Sequence, residues 1–365
     1  MRRWMAAIAA SMAWVVMLVA QAEASSPPVA GRVGDARVAR MSAGDRVGFT
    51  SPPMVLAHRG ASGAMPENTL ASMRVAIQEG ADTLEFDLVM SKDGALVCRH
   101  ERQLSLTTDV ADHPEFADRR TTKKVAGHSV TDWFVEDFTL AEIKTLRAVE
   151  RMPELRPQSA AYDEDFRIPT FAEILALRDL LSAQAGHAVW VAPELKTPAY
   201  FRGLGLRPEE TAVADLRAVG LATREAPVIV NSFNLRSMTR LRGLAPVHVA
   251  RVISGSARLS DWWMKRYATR VDAIFVKSNL LIPNTSDGRL GAPTSVLRRA
   301  DRVGLDVFAW TFRVENTYLP IDFQIGTDPS APGNLTGLAQ RFADAGADGL
   351  ITDNPAETVA VRAAS

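Results

Sequence analysis

Eight short runs rich in apolar and β-branched residues, at 55–57, 83–87, 189–192, 228–230, 247–253, 273–276, 306–309 and 349–351, recur along the chain with helical segments between most of them. Four of those helices close alike, on a glycine followed by an apolar or small residue and then a strand: Glu79-Gly80-Ala81, Val219-Gly220-Leu221, Val303-Gly304-Leu305 and Ala345-Gly346-Ala347. Glycine just past a helix takes the left-handed cap at little cost. Runs that are apolar throughout read as strands buried on both faces, and repeated strand-then-helix order makes them parallel. The count of eight favours closure, so the expected fold class is α/β, a TIM-type (β/α)8 barrel, over an open doubly wound sheet. Either architecture puts reactive groups at the carboxyl ends of strands.

Two stretches interrupt the rhythm. Residues 101–168 are charged and aromatic with little strand character, which reads as an insertion after the second strand, folded over the barrel mouth. Residues 277–293 carry the turn formers Ser278-Asn279, Pro283-Asn284 and Asp287-Gly288 and read as a substrate-facing loop. The barrel domain is expected over 51–365, preceded by a flexible, Ser/Pro/Gly/Arg-containing arm at 25–50. Residues 1–24 have the layout of a secretory signal peptide: Arg2-Arg3, an apolar run, then Ala22-Glu23-Ala24. Export to the periplasm or medium follows, because the apolar run is shorter than the roughly 20 residues a spanning helix needs. Lysine plus arginine (42) balance aspartate plus glutamate (42), so no global field favours nucleic acid or an anionic membrane, and a small-molecule partner is expected. Cys98 is the single cysteine, and no intramolecular disulfide can form.

The chemistry-bearing residues stand where strands end. The first strand runs into His58-Arg59-Gly60, an imidazole beside a permanent cation, and Pro66-Glu67-Asn68-Thr69 then prepares a helix, with Asn68 or Thr69 as its cap and Glu67 as a helix-start residue. Glu85 and Asp87, two apart on the second strand, project to one side and repel unless a cation joins them. A divalent ion would resolve that repulsion; ion pairs to Arg59 and Lys196 are the other resolution. Ser91-Lys92-Asp93-Gly94 is a hairpin signature that carries the chain back to His100, a second acid/base group. The third strand ends in Glu194-Leu195-Lys196, where period two places a third carboxylate and a cation on one face.

With those residues in view, the chain resembles the glycerophosphodiester phosphodiesterases, specifically their exported, periplasmic bacterial type. The ordered set His58-Arg59-Gly60, Pro66-Glu67-Asn68-Thr69, Glu85-Phe86-Asp87, Lys92-Asp93-Gly94 and His100 carries the likeness, with weaker echoes at Pro193-Glu194-Leu195-Lys196, Ser232-Phe233, Trp310-Thr311 and 346–355. The resemblance implies His58 and His100 as the acid/base pair, Arg59 and Lys196 as phosphate holders, and Glu85, Asp87 and Glu194 as ligands of one divalent cation, Ca2+ first and Mg2+ second. Phe233 and Trp310 resemble the residues lining the family's glycerol pocket, although either suits an ordinary core. Glu101 departs from the aspartate that usually follows the second histidine. The implied reaction passes through a cyclic phosphate to glycerol 3-phosphate plus choline, ethanolamine or another alcohol. A phospholipase D-like lipid phosphodiesterase, with Trp262-Trp263 as its membrane-facing patch, and an exported binding or adhesion protein on the same barrel are the rival readings.

Overall fold

In the computed structural model, which describes residues 53–363, the strands are β1 (Met54–His58), β2 (Thr83–Met90), β3 (Leu96–Cys98), β4 (Thr121–Val125), β5 (His128–Asp132), β6 (Trp190–Leu195), β7 (Ile229–Ser232), β8 (His248–Ile253), β9 (Ala273–Lys277), β10 (Asp306–Phe312) and β11 (Gly349–Thr352). Parallel pairing runs β1-β11-β10-β9-β8-β7-β6-β2, and β1 pairs in parallel with β2, which closes an eight-stranded barrel. The expected signal peptide and arm at 1–50 lie outside the described residues. No helix among the described residues is long and apolar enough to cross a membrane.

The register decides what reaches the mouth. Leu56, Ala192, Ile229, Ala250, Phe275, Phe308 and Ile351 fill the barrel interior. Two residues further along their strands, period-two alternation turns His58, Glu194, Asn231, Lys277, Trp310 and Asp353 toward the carboxyl-end opening. Gly349 is needed at the base of this packing, because a Cβ there would lie 2.2 Å from a Phe308 ring carbon. The outer faces of the strands pack against helices in one large core that includes Val55, Leu84, Val191, Val249 and Ile274. At the amino ends, aspartates that precede strands accept neighbouring amides: Val55 N donates to Asp82 at 2.8 Å, Val249 N to Asp272 at 2.9 Å and Val307 N to Asp348 at 2.7 Å. Each bond satisfies an amide that the ladder leaves over at the barrel floor.

β3 is the antiparallel return of the expected hairpin, with Leu88 opposite Cys98 and Met90 opposite Leu96. It occupies the edge of β2 beyond the point where β1 stops, so His100 arrives beside the mouth. Residues 101–168 hold more strand than their sequence suggests: β4 and β5 form a separate two-stranded antiparallel sheet. Its polar, largely exposed residues mask the alternation, while Ala126 (φ 49) and Gly127 (φ 90) supply the left-handed turn a tight hairpin needs. The strands also run past their apolar segments at the carboxyl ends, β6 to Leu195 and β10 to Phe312, so several site residues lie within strands rather than after them.

Candidate active site

One cavity of about 580 Å3 opens at the carboxyl ends of the strands. His58, Arg59, Glu85, His100, Glu194 and Lys196 line it, joined by Phe233 and Trp310. Oxygens of Glu85, Asp87 and Glu194 lie within 4.8 Å of one another, and all three residues are buried. Each expected site residue therefore comes to one place. Phe233 and Trp310 meet edge to face at 6.0 Å between centroids, and the Lys196 ammonium stands 5.8 Å from the Phe233 ring. Phe233, 41% exposed, stands in the cavity wall, while Trp310 both lines the cavity and packs against the barrel interior. From the 277–293 loop, Ser278, Asn279, Ile282, Asn284 and Leu290 also face it.

Cations interleave the acidic cluster. Lys196 Nζ lies 3.0 Å from Asp87 Oδ1 and 2.8 Å from Glu194 Oε2, Arg59 Nε lies 3.1 Å from Asp87 Oδ2, and the Arg59 amide donates to Glu85 Oε2 at 3.0 Å. Burial, then Asp87 and Glu194, push the Glu85 carboxyl well above the usual carboxylate range. Burial also opposes charge on Asp87, but Lys196 and Arg59 overcome it and hold that carboxyl well below. Burial raises Glu194, against the pull of Lys196. The two cations thus settle the charge of Asp87, while burial and mutual repulsion disfavour charge on Glu85 and Glu194. The buried Glu194 Oε1 has no hydrogen-bond partner among the described residues. Three convergent hard oxygen donors, with Glu194 Oε1 unsatisfied and Asp87 Oδ1 met only by the Lys196 ammonium, fit a divalent ion of the calcium or magnesium kind. The ion pairs expected as the other resolution are present too, with Arg59 and Lys196 both on Asp87 and Lys196 also on Glu194.

Each histidine is held from behind by an acid. His58 Nδ1 lies 2.6 Å from Asp353 Oδ1, and Asp353 Oδ2 accepts from Arg156 Nη2 and Arg313 Nε, both at 2.7 Å. Burial, then Arg59, lower His58 to about 4, with Asp353 pulling the other way. Asp353 itself is held well below its usual range: burial opposes its charge, but Arg313 and Arg156 outweigh it. His58 is therefore neutral near pH 7, with its proton on Nδ1 facing an acceptor-only carboxylate and its Nε2 lone pair free. His100 Nδ1 lies 2.5 Å from Glu101 Oε1. Burial would raise Glu101, but His100 and Arg151 bring it down to about 2. The longer acid at this position thus orients His100.

Several residues that the sequence reading passed over or misassigned belong here. Glu67 is not in the helix that starts at Leu70, where Thr69 is the cap and pairs reciprocally with Ser72. Glu67 instead accepts from Arg59 Nη1 at 2.8 Å and from Arg151 at 2.7 and 2.8 Å. Arg59 and Arg151 outweigh its burial and keep it ionised. Asn68, in the left-handed region (φ 59), donates to Asp87 Oδ2 at 3.1 Å and accepts the Asp87 amide at 3.0 Å, which fixes one member of the acidic trio. Arg151 and Arg156 come from the 101–168 insertion and brace the acids behind both histidines. Arg156 also pairs with Glu315 at 2.6 Å. The only hint in the sequence was the run ending Thr352-Asp353-Asn354-Pro355, which gives Asp353 no role by itself.

Comparison with known proteins accords with this geometry. The model of the glycerophosphoryl diester phosphodiesterase family matches residues 58–357. A glycerophosphodiester phosphodiesterase of Arabidopsis thaliana is 33% identical over 328 residues, covering 83% of this chain and 84% of the relative. Among solved structures, a Silicibacter pomeroyi protein assigned to the glycerophosphoryl diester phosphodiesterases superposes with a TM-score of 0.62 at 22% identity, over 86% of this chain and 94% of that one. An Oleispira antarctica phosphodiesterase in complex with the product sn-glycerol-3-phosphate gives 0.57 at 22% identity, over 86% and 97%. At such identities the two structures speak to the barrel alone.

Proposed function

This chain belongs to the glycerophosphoryl diester phosphodiesterase family and is an enzyme of that class, and from that premise we propose a metal-assisted hydrolysis of glycerophosphodiesters run by His58 and His100. The observation that carries the reading is the pair of anchored imidazoles: each Nδ1 is fixed by an ionised acid, which leaves the other ring nitrogen for substrate at a cavity that also holds the acidic trio.

Arg59 and Lys196 hold the phosphodiester, whose anion would otherwise repel a nucleophile. A divalent cation bound by Glu85, Asp87 and Glu194, Ca2+ in our reading, supplies further charge neutralisation at phosphorus. His58, neutral with Nε2 free, accepts the proton of the glycerol hydroxyl next to the ester as that oxygen bonds to phosphorus. The bond from phosphorus to the head-group oxygen breaks, and His100 gives that oxygen its proton. The resulting cyclic phosphate is opened by water with the two roles reversed, giving glycerol 3-phosphate and the free alcohol. Phe233 and Trp310 pack against the glycerol carbons. Choline, ethanolamine and glycerol are the leaving alcohols we propose, and export by the 1–24 segment places the reaction in the periplasm or medium.

The test is turnover of glycerophosphocholine beside a lysophospholipid, before and after chelation and with calcium restored. Reversible loss with chelator and preference for the soluble diester support the reading. Full turnover after thorough chelation would sink the metal assignment, and preference for the lysophospholipid would restore the lipid phosphodiesterase reading.

A further inference from the structure

A second cavity, about 800 Å3, lies beside the catalytic one and shares Glu194, Lys196 and Phe233 with it. Arg236, Arg251, Arg258 and Arg266 line it, and Glu194, already paired with Lys196, is its one carboxylate among the described residues. No ion pair joins any of these four arginines to an acid among the described residues. Like charges gathered in one place repel, and a guanidinium taken out of water without an anion is costly. Arg251 is such a group: it is 7% exposed, it donates from Nη1 to Ser232 O at 3.3 Å, and its Nε has no partner. The hydroxyl of Tyr267, 1% exposed and lining the same cavity, is hydrogen-bonded to the Arg251 side chain, which leaves that guanidinium facing a neutral oxygen rather than an anion.

Aromatic rings hold the outer arginines in place while leaving their N–H groups available. The Arg258 guanidinium sits 5.5 Å from the Trp263 ring, and that of Arg266 lies 5.4 Å from Trp262 and 5.9 Å from Trp263. Stacking of this kind orients a guanidinium without neutralising it. Trp263 in turn stacks on Tyr267 at 5.6 Å. Two buried donors at the back and two ring-held forks at the rim converge on one space, the arrangement that recognises a tetrahedral oxyanion. The space exceeds what a bare phosphate fills, and Tyr200, Leu235 and Trp263 give it an apolar wall for an organic arm.

We propose that this flanking cavity binds the phosphate group of a phosphate monoester, distinct from the diester handled at the acidic trio. Arg251 and Tyr267 take its inner oxygens, and Arg258 and Arg266 close over it. Free phosphate compounds and the head group of an anionic phospholipid share that chemistry, and Trp262, 60% exposed on the same helix, stands near enough to meet either source.

Equilibrium dialysis of the full chain against labelled inorganic phosphate tests the site, with sedimentation of phosphatidylcholine vesicles, with and without phosphatidic acid, as the second arm. The Arg258→Glu/Arg266→Glu variant changes only exposed side chains, so it folds. It is expected to weaken one phosphate equivalent at least tenfold while turnover of glycerophosphocholine stays within twofold. Tyr267→Phe, which removes only the hydroxyl, is expected to weaken the same equivalent by a smaller factor. Loss seen with inorganic phosphate assigns a soluble ligand, and loss seen only with phosphatidic acid vesicles assigns the head group. Phosphate and vesicle binding that are absent in the parent, or unchanged in the double variant, overturn the proposal.

Discussion

Replacing Asp353 by asparagine removes one charge and no volume, yet it should cost this enzyme most of its turnover. The carboxylate faces three donors: Nδ1 of His58 at 2.6 Å, and Arg156 Nη2 and Arg313 Nε at 2.7 Å each. An asparagine has one acceptor oxygen for all three. Two guanidinium groups outbid a neutral imidazole for it, so the amide NH2 turns to His58 and forces the proton from Nδ1 to Nε2. The nitrogen proposed to accept the glycerol proton is then occupied. Loss of a correctly protonated base is worth roughly 3 to 5 kcal/mol of barrier, or about 10²- to 10⁴-fold in kcat. Release of glycerol 3-phosphate at saturating glycerophosphocholine and calcium reads it. Glu315→Gln is the control, because it strips Arg156 of its other partner at 2.6 Å without touching His58. Both variants should lose stability on heating, since each leaves a buried guanidinium short of charge. Only Asp353→Asn should lose kcat beyond tenfold. A folded Asp353→Asn enzyme with kcat within fivefold of the parent would refute the assignment of His58 as the base.

Glu85→Gln should keep the fold and abolish the rise in melting temperature that calcium gives the parent, which at a hundredfold excess over Kd corresponds to about 2.7 kcal/mol; an equal rise in both would remove Glu85 from the ion site. His248, at the start of β8, is lowered from 6.5 to about 4 by burial and then Arg224. The unfolded chain therefore binds more protons between those values, and this contribution to stability is lost as pH falls from about 6.5 to about 4. Denaturant unfolding at about pH 7.5 and about pH 4.5 should show His248→Gln losing about 2.5 kcal/mol less than the parent, and equal losses would contradict it. Under the proposed export by the 1–24 segment, protein recovered from the periplasm or medium and sequenced from its amino terminus should begin near Ser25; an intact Met1 would count against cleavage.

The difference between what was readable in the sequence and what was not follows the range of the interactions. Strand-then-helix alternation, the Gly caps and the Glu85/Asp87 and Glu194/Lys196 pairs are written in spacings of a few residues, because backbone period fixes which side chains share a face. Those spacings determined the barrel and the convergence of the acidic trio, and the ordered motifs picked out His58 and His100. Glu67 reads as a helix-start residue for the same reason: local position favours an acid there, while one of its two partners, Arg151, lies 84 residues away and the other, Arg59, meets it only through the fold of the loop after β1. The pairing of His58 with Asp353 spans 295 residues and exists because closure of the barrel lays β11 against β1. Arg151 and Arg156 reach the site only because an irregular insertion folds back onto the mouth, and no periodicity announces where such a segment lands. The sequence by itself therefore determined the scaffold and the side chains that gather at its mouth. Tertiary structure alone decided what holds those groups in their working protonation and orientation, since that depends on which distant chain segments close the ring beside them.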